Sequence, residues 1–171
     1  MGKTNITTRF VKSEFSENYD PTIEDFYQKQ VEVNKHAAIL EILDTAGNDQ
    51  FKMMRDLYLS NSDAYVVVYS VAQKSTFLEM SPMLEDIKKI KPDRNVAPVI
   101  LVGNKCDLPE REVETEEGKN LALQYDCMFR EVSAKLNQGI TEVFMDLTRN
   151  LVLERGKVSG DQPKKGCCVL M

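Results

Sequence analysis

A chain of 171 residues that is 42% hydrophobic and 29% charged, with only 8 Gly and 6 Pro, has the make-up of a single soluble globular domain; disordered, collagen-like and fibrous classes are excluded. Acidic residues outnumber basic ones by 27 to 22, for a net charge of −5, which argues against duplex nucleic acid as a partner. No apolar run approaches the ~18 residues that span a bilayer and the N-terminus lacks a signal-peptide layout, so any membrane contact is expected to be an anchor.

In chain order, Gly2-Lys3-Thr4 leads into a short helix with Ile6, Phe10 and Val11 on one side. Tyr27, Val31 and Val33 mark a strand. Ile39, Leu40, Ile42 and Leu43 form a second apolar segment that ends at Asp44. Ala64 to Tyr69 and Pro98 to Val102 are β-branched runs without alternation, as expected of strands buried on both faces. Between them, Phe77, Met80, Met83, Leu84, Ile87 and Ile90 recur at spacings of three and four and predict a helix. Thr115 followed by Glu116 and Glu117 resembles an N-cap with an acidic first turn, opening a helix through Leu121 and Tyr125. The Met128 to Val132 segment follows, and then a stripe of Ile140, Val143, Phe144, Leu147 and Leu151. From Lys157 to Met171 the apolar period disappears, and the segment reads as a flexible tail. No internal repeats occur. Strand–helix alternation predicts an α/β fold, a mainly parallel sheet with helices on both faces and ligands beyond the carboxyl ends of the strands.

The four cysteines are Cys106, Cys127, Cys167 and Cys168, and the single histidine is His36. Their spacing suggests neither a disulfide framework nor a metal cage, and a reducing, cytosolic compartment fits better. Cys106 and Cys127 read as small structural hydrophobes.

Polar clusters follow the predicted strands. Gly2-Lys3-Thr4 matches the last three positions of a phosphate-binding loop, in which a helix N-terminus receives phosphate, Lys meets its oxygens and a hydroxyl holds Mg²⁺. Asp44-Thr45-Ala46-Gly47 puts a carboxylate at a strand end, able to hold Mg²⁺ through water, beside a glycine that permits close approach. In Asn104-Lys105-Cys106-Asp107 a carboxylate is the natural acceptor for paired N–H donors such as those of guanine, and a Lys stem can cover a base face. Ser133-Ala134-Lys135 offers a backbone N–H to a base carbonyl. Taken singly, each peptide could be an ordinary capped turn or polar loop.

Together, in this order and with Tyr19-Asp20-Pro21-Thr22-Ile23-Glu24-Asp25 between the first two, they resemble a Ras-superfamily small GTPase of the Ras/Rap branch. The resemblance runs from Gly2 to the last residue. It implies the P-loop NTPase G-domain fold over 1–156, binding of GTP or GDP with Mg²⁺, and slow GTP hydrolysis. Lys3 is then expected on the β/γ-phosphates beside Gly2, with Thr4, Thr22 and Asp44 at the metal and Gly47 donating to the γ-phosphate. Phe15 packs against the guanine, and Asn104, Lys105, Asp107, Ser133, Ala134 and Lys135 form the base pocket. The loops ordered by the γ-phosphate would be about Ser16 to Phe26 and Asp44 to Tyr58. Effectors would recognise the Tyr19-Asp25 loop of a monomer, served by an exchange factor and a GTPase-activating protein.

Two departures stand out. Asn48 replaces the family's Gln, and its amide, one methylene closer to the backbone, should orient an attacking water poorly. Ahead of Gly2, the family's first strand and the glycine-rich start of its phosphate loop have no counterpart. That strand lies mid-sheet in the family, so unpaired backbone on both neighbours, weaker phosphate binding and a threatened stability margin of ~5–15 kcal/mol are expected. An alternative is therefore a nucleotide-free interaction module that competes for effectors or for prenylation machinery; a third is an unstable product without a cooperative transition. The last four residues, Cys168-Val169-Leu170-Met171, fit a C-a-a-X box with Met at the end, the type farnesylated on the cysteine. Palmitoylation of Cys167, or the basic pair Lys164 and Lys165, would supply the second membrane signal. The cytoplasmic face of the plasma membrane is the expected location.

Overall fold

The computed structural model describes residues 1–17, 24–33, 35–45, 52–92, 97–156 and 165–170. Its first helix, α1 (Lys3–Lys12), precedes a hairpin of β1 (Glu24–Val33) and β2 (His36–Thr45). The two strands run antiparallel from Val33 opposite His36 to Glu24 opposite Thr45. The turn between them places Lys35 at φ 65°, the left-handed conformation that matches a tight hairpin to the twist of its strands. Then follow α2 (Lys52–Asn61), β3 (Ala64–Ser70), α3 (Lys74–Leu78), α4 (Met80–Ile90), β4 (Val99–Asn104), α5 (Thr115–Gln124), β5 (Met128–Val132) and α6 (Ile140–Gly156). A last strand, β6, spans Lys165–Leu170.

The six strands form one sheet in the order β1-β2-β6-β3-β4-β5, parallel everywhere except between β1 and β2. Every residue of β3 and β4 is buried, and strand parity divides them between two cores. Ala64, Val66, Val68, Ile100 and Val102 face α1 and α6, against Ile6, Phe10, Val143, Phe144 and Leu147. Tyr65, Val67, Tyr69, Val99 and Leu101 face the other side, against Met80, Leu84, Ile87 and Ala122. The rings of Phe10 and Phe144 stack at 4.0 Å between centroids and join α1 to α6. This is the doubly covered, mainly parallel α/β sheet expected from the unalternating strands.

The structure departs from the sequence-based expectations in three places. The stripe from Phe77 to Ile90 is broken at Glu79 into α3 and α4. Pro82, lacking an N–H, cannot donate to the carbonyl of Leu78, so one continuous helix would lose a bond there. Thr115 is the first residue of α5 and Glu114 its N-cap, whose N–H donates to Glu117 Oε2 at 2.9 Å. The Thr115 hydroxyl donates instead to Glu131 Oε2 at 3.1 Å, within the bidentate Arg111–Glu131 pair.

The third departure decides the architecture. The segment read as a flexible tail contributes β6, and β6 lies between β2 and β3, where unpaired backbone was expected. Its six residues pair with Ile39 to Asp44 of β2. Cys168, Val169 and Leu170 also pair with Ala64, Tyr65 and Val66 of β3. Leu170 is fully buried in the core beneath α1 and α6, and its carbonyl accepts the Thr45 hydroxyl at 2.7 Å.

Gly118, inside α5, tests the packing on the opposite face. A Cβ there would sit 2.5 Å from Cε2 and 2.7 Å from Cζ of Phe129 and would also strike the Tyr69 hydroxyl. Gly118→Ala gains about 1 kcal/mol in helix propensity but overpacks rigid rings, at about 1–3 kcal/mol. We expect a net loss of about 1 kcal/mol in urea unfolding; a stabilised variant would show that the α5–sheet contact is looser than described.

Candidate functional site

The site is built where the carboxyl ends of β2, β4 and β5 meet the N-terminus of α1. Gly2 caps α1 at φ 86°, and its carbonyl accepts the Ile6 N–H at 3.1 Å. A Cβ on Gly2 would lie 2.8 Å from Asn104 Nδ2, so glycine is required both by its left-handed backbone and by close approach. Lys3 follows in the first turn and is 8% exposed. Burial pushes its pKa below the ordinary lysine value, and the charges of Asp44 and Glu79 partly oppose that.

Asp44, near the end of β2, is fully buried. Burial pushes its carboxyl above the usual carboxylate range, while the Thr4 hydroxyl and the Lys3 ammonium pull it back down. Neither carboxylate oxygen has a side-chain or backbone partner of full hydrogen-bond geometry among the described residues. A buried carboxylate so loosely partnered, beside a hydroxyl and an ammonium, is suited to a hard divalent cation that brings oxygen ligands of its own. No group of three or more His, Cys, Asp and Glu gathers among the described residues. Such an ion would therefore depend on the Thr4 hydroxyl, Asp44 and ligand oxygens.

Asn104, at the end of β4 and 2% exposed, ties three segments together. Its Nδ2 donates to the Met1 carbonyl at 3.0 Å and its Oδ1 accepts the Ala134 N–H at 3.2 Å, while its own carbonyl accepts the Val71 N–H at 3.0 Å. Lys105 is exposed at φ 68°, a left-handed conformation that costs a non-glycine residue about 1–3 kcal/mol and collects at functional turns. The Cys106 N–H bonds the Val132 carbonyl at 3.1 Å, and burial pushes its thiol above the ordinary value, the direction of an inert cysteine. Asp107 is half-buried in the same turn. In the next loop Ser133 is buried and its hydroxyl accepts the Leu136 N–H at 3.0 Å. Lys135 is exposed and paired with Glu17 at 3.1 Å.

Arg9 escaped the sequence reading. From the last turn of α1 its guanidinium donates to the carbonyls of Ala134, Lys135 and Ser13, each at 3.0 Å, and lies over the Phe15 ring at 5.4 Å. It fastens the Ser133-Ala134-Lys135 loop and Phe15 to one helix. No local signal marks it, because a basic residue in a last helical turn is already favoured by the helix dipole. The structure thus brings Gly2, Lys3, Thr4, Asp44, Asn104 and Ala134 to one end of the sheet. Thr22, Gly47 and Asn48, with residues 19–23 of the proposed effector loop, lie outside the described residues.

A family model, described as Ras: Ras family, matches residues 1–153. The chain belongs to the Ras family. The α/β fold and the order of the loop motifs are those of a Ras-like G domain, and the match covers all the described elements except the end of α6 and β6.

Arg9→Met keeps the aliphatic stem and removes the three donors. Charge-assisted hydrogen bonds contribute about 1.5–3 kcal/mol each when desolvated and less when, as here, partly exposed. We expect a loss of about 1–3 kcal/mol in denaturant unfolding and faster amide exchange at residues 133–136; an unchanged exchange pattern would mean that the loop stands without Arg9.

Proposed function

We propose that the chain is a guanine-nucleotide switch that binds GTP or GDP with Mg²⁺, hydrolyses GTP slowly and recruits effectors at a membrane. The observation that carries this reading is Asp44: a fully buried carboxylate flanked by Lys3 and Thr4 at the N-terminus of α1, with neither oxygen in a hydrogen bond of full geometry among the described residues. Lys3 and Thr4 offset only part of the cost of burying that charge, so the arrangement makes sense when a cation completes it.

The roles follow from position. Lys3 would neutralise β/γ-phosphate oxygens, and the first turn of α1 would add its N–H groups and dipole. Thr4, Asp44 and Thr22 would hold the metal, which when bound supplies positive charge against the phosphates. Gly47 would donate to the γ-phosphate. On the base side, Asp107 would accept the paired N–H donors of guanine and the Lys105 stem and Phe15 would cover its faces. Asn104 would hold the Met1 carbonyl and the Ala134 loop in register, with Ser133 and Lys135 framing that loop. Asn48 would place the attacking water less well than Gln, so hydrolysis is slow until a GTPase-activating protein supplies an arginine. An exchange factor would reload the site, and the Tyr19-Asp25 loop would contact effectors. Cys168 would carry a prenyl group and Cys167 a palmitoyl group, holding the protein at the cytoplasmic face of the plasma membrane. No described helix is long and apolar enough to cross a membrane.

Titration with a fluorescent GDP analogue tests the reading. Saturable binding that weakens when Mg²⁺ is chelated is expected, and Asp107→Ala should weaken it by about 10–100-fold, the worth of a charge-assisted pair of hydrogen bonds. A folded chain that binds no nucleotide would leave only a module competing for effectors. Single-turnover hydrolysis offers a further check: Asn48→Gln should accelerate it by about 10-fold through better water placement, and a rate no faster than that of the parent would remove Asn48 from the mechanism.

A further inference from the structure

The centre of this sheet is filled by the chain's own C-terminal segment, and the residues most deeply engaged are three of the four in the C-a-a-X box. Lys165 to Leu170 pair with β2, whereas Cys168, Val169 and Leu170 pair on both edges, with Ile42 and Ala64, Leu43 and Tyr65, and Asp44 and Val66 respectively. The Leu170 carbonyl takes a further bond from the Thr45 hydroxyl, and the Leu170 side chain is buried against the α1–α6 core. Any enzyme that modifies Cys168 must bind these residues from outside, and their backbone groups are already held within the sheet.

We infer that Lys165–Leu170 is an intramolecular donor strand, and that its insertion between β2 and β3 withholds Cys168 from lipidation. The inference rests on the proposed prenylation of Cys168. In that reaction the Cys168 Sγ bonds to C1 of farnesyl diphosphate, the C1–O bond breaks, diphosphate leaves and the thiol proton is released. The chain therefore has two exclusive states, one with the tail in the sheet and the cysteine unmodified, the other with the tail released and open to lipid. Residues 157–164 connect α6 to β6.

Two measurements on the whole chain test this together. Hydrogen exchange should show the amides of 168–170 protected like those of β3, far beyond a free 157–171 peptide. With purified protein farnesyltransferase and farnesyl diphosphate, the folded chain should react at least about 10-fold more slowly than that peptide, since a tail released less than a tenth of the time is available in that proportion. Gly166→Pro lies outside the C-a-a-X box but removes an N–H from β6. It should bring the chain to within a few-fold of the peptide rate while leaving the peptide's own rate unchanged, or, if β6 is indispensable, abolish the cooperative thermal transition. Peptide-like exchange at 168–170, or equal rates for folded chain and peptide, would overturn the inference. Protection found only in a dimer would overturn its intramolecular form and assign the strand to a second copy. A peptide that is itself unmodified, with 168–170 protected in the chain, would remove the lipidation reading and with it the masking, while the donor strand stood.

Discussion

The fold turns on the backbone groups at the middle of its sheet. Two buried strands facing each other across a vacant position would each leave a row of N–H and C=O groups without partners, a cost that weighs against any state in which the position stands empty. β2 and β3 are such strands, carrying Leu40, Ile42 and Leu43 on one side and seven consecutive buried residues on the other. β6 meets the requirement from the far end of the chain. Once it is in place the two cores form on either face, and the carboxyl ends of β2, β4 and β5 align at one edge.

That alignment creates the site. Asp44, Asn104 and Ser133 are carried to the same edge by β2, β4 and β5, and there α1 sets Lys3 and Thr4 against the buried carboxylate, offsetting part of what its burial costs. Asn104 and Arg9 then fasten the segments around Met1 and Ala134, one from the sheet edge and one from the helix. The chemistry proposed for the site depends on these fixings as much as on the groups that would touch the nucleotide.

Much of this was legible in the residues. Strands without alternation marked burial on both faces, three-and-four spacing marked the helices, and the polar clusters fell at strand ends as an α/β sheet requires. What escaped was non-local or depended on a single atom. The Phe77 to Ile90 stripe reads as one helix because periodicity does not register the N–H that Pro82 lacks. Thr115 reads as a cap because its hydroxyl's preference for Glu131, distant in sequence, leaves no local trace. Arg9 reads as a helix-end charge. β6 escaped for the strongest reason: Lys165-Gly166-Cys167-Cys168-Val169-Leu170 has too little apolar pattern to declare a strand, and its strandedness comes from two waiting edges rather than from its own propensity.

β2 joins the tail to the site. Leu170 pairs with Asp44 itself, and the Thr45 hydroxyl, one residue further, bonds the Leu170 carbonyl. The backbone that positions the buried carboxylate is therefore held on its inner edge by the last residues of the chain, while its outer edge is held by β1 at Asp25. Free energy that keeps β6 in the sheet also keeps Asp44 where Lys3 and Thr4 can reach it. By linkage, a ligand that binds more tightly to that arrangement of Asp44 must in turn hold the tail more firmly. The helix α1, whose first turn carries Lys3 and Thr4, and the strand β6 are thus coupled through one strand end.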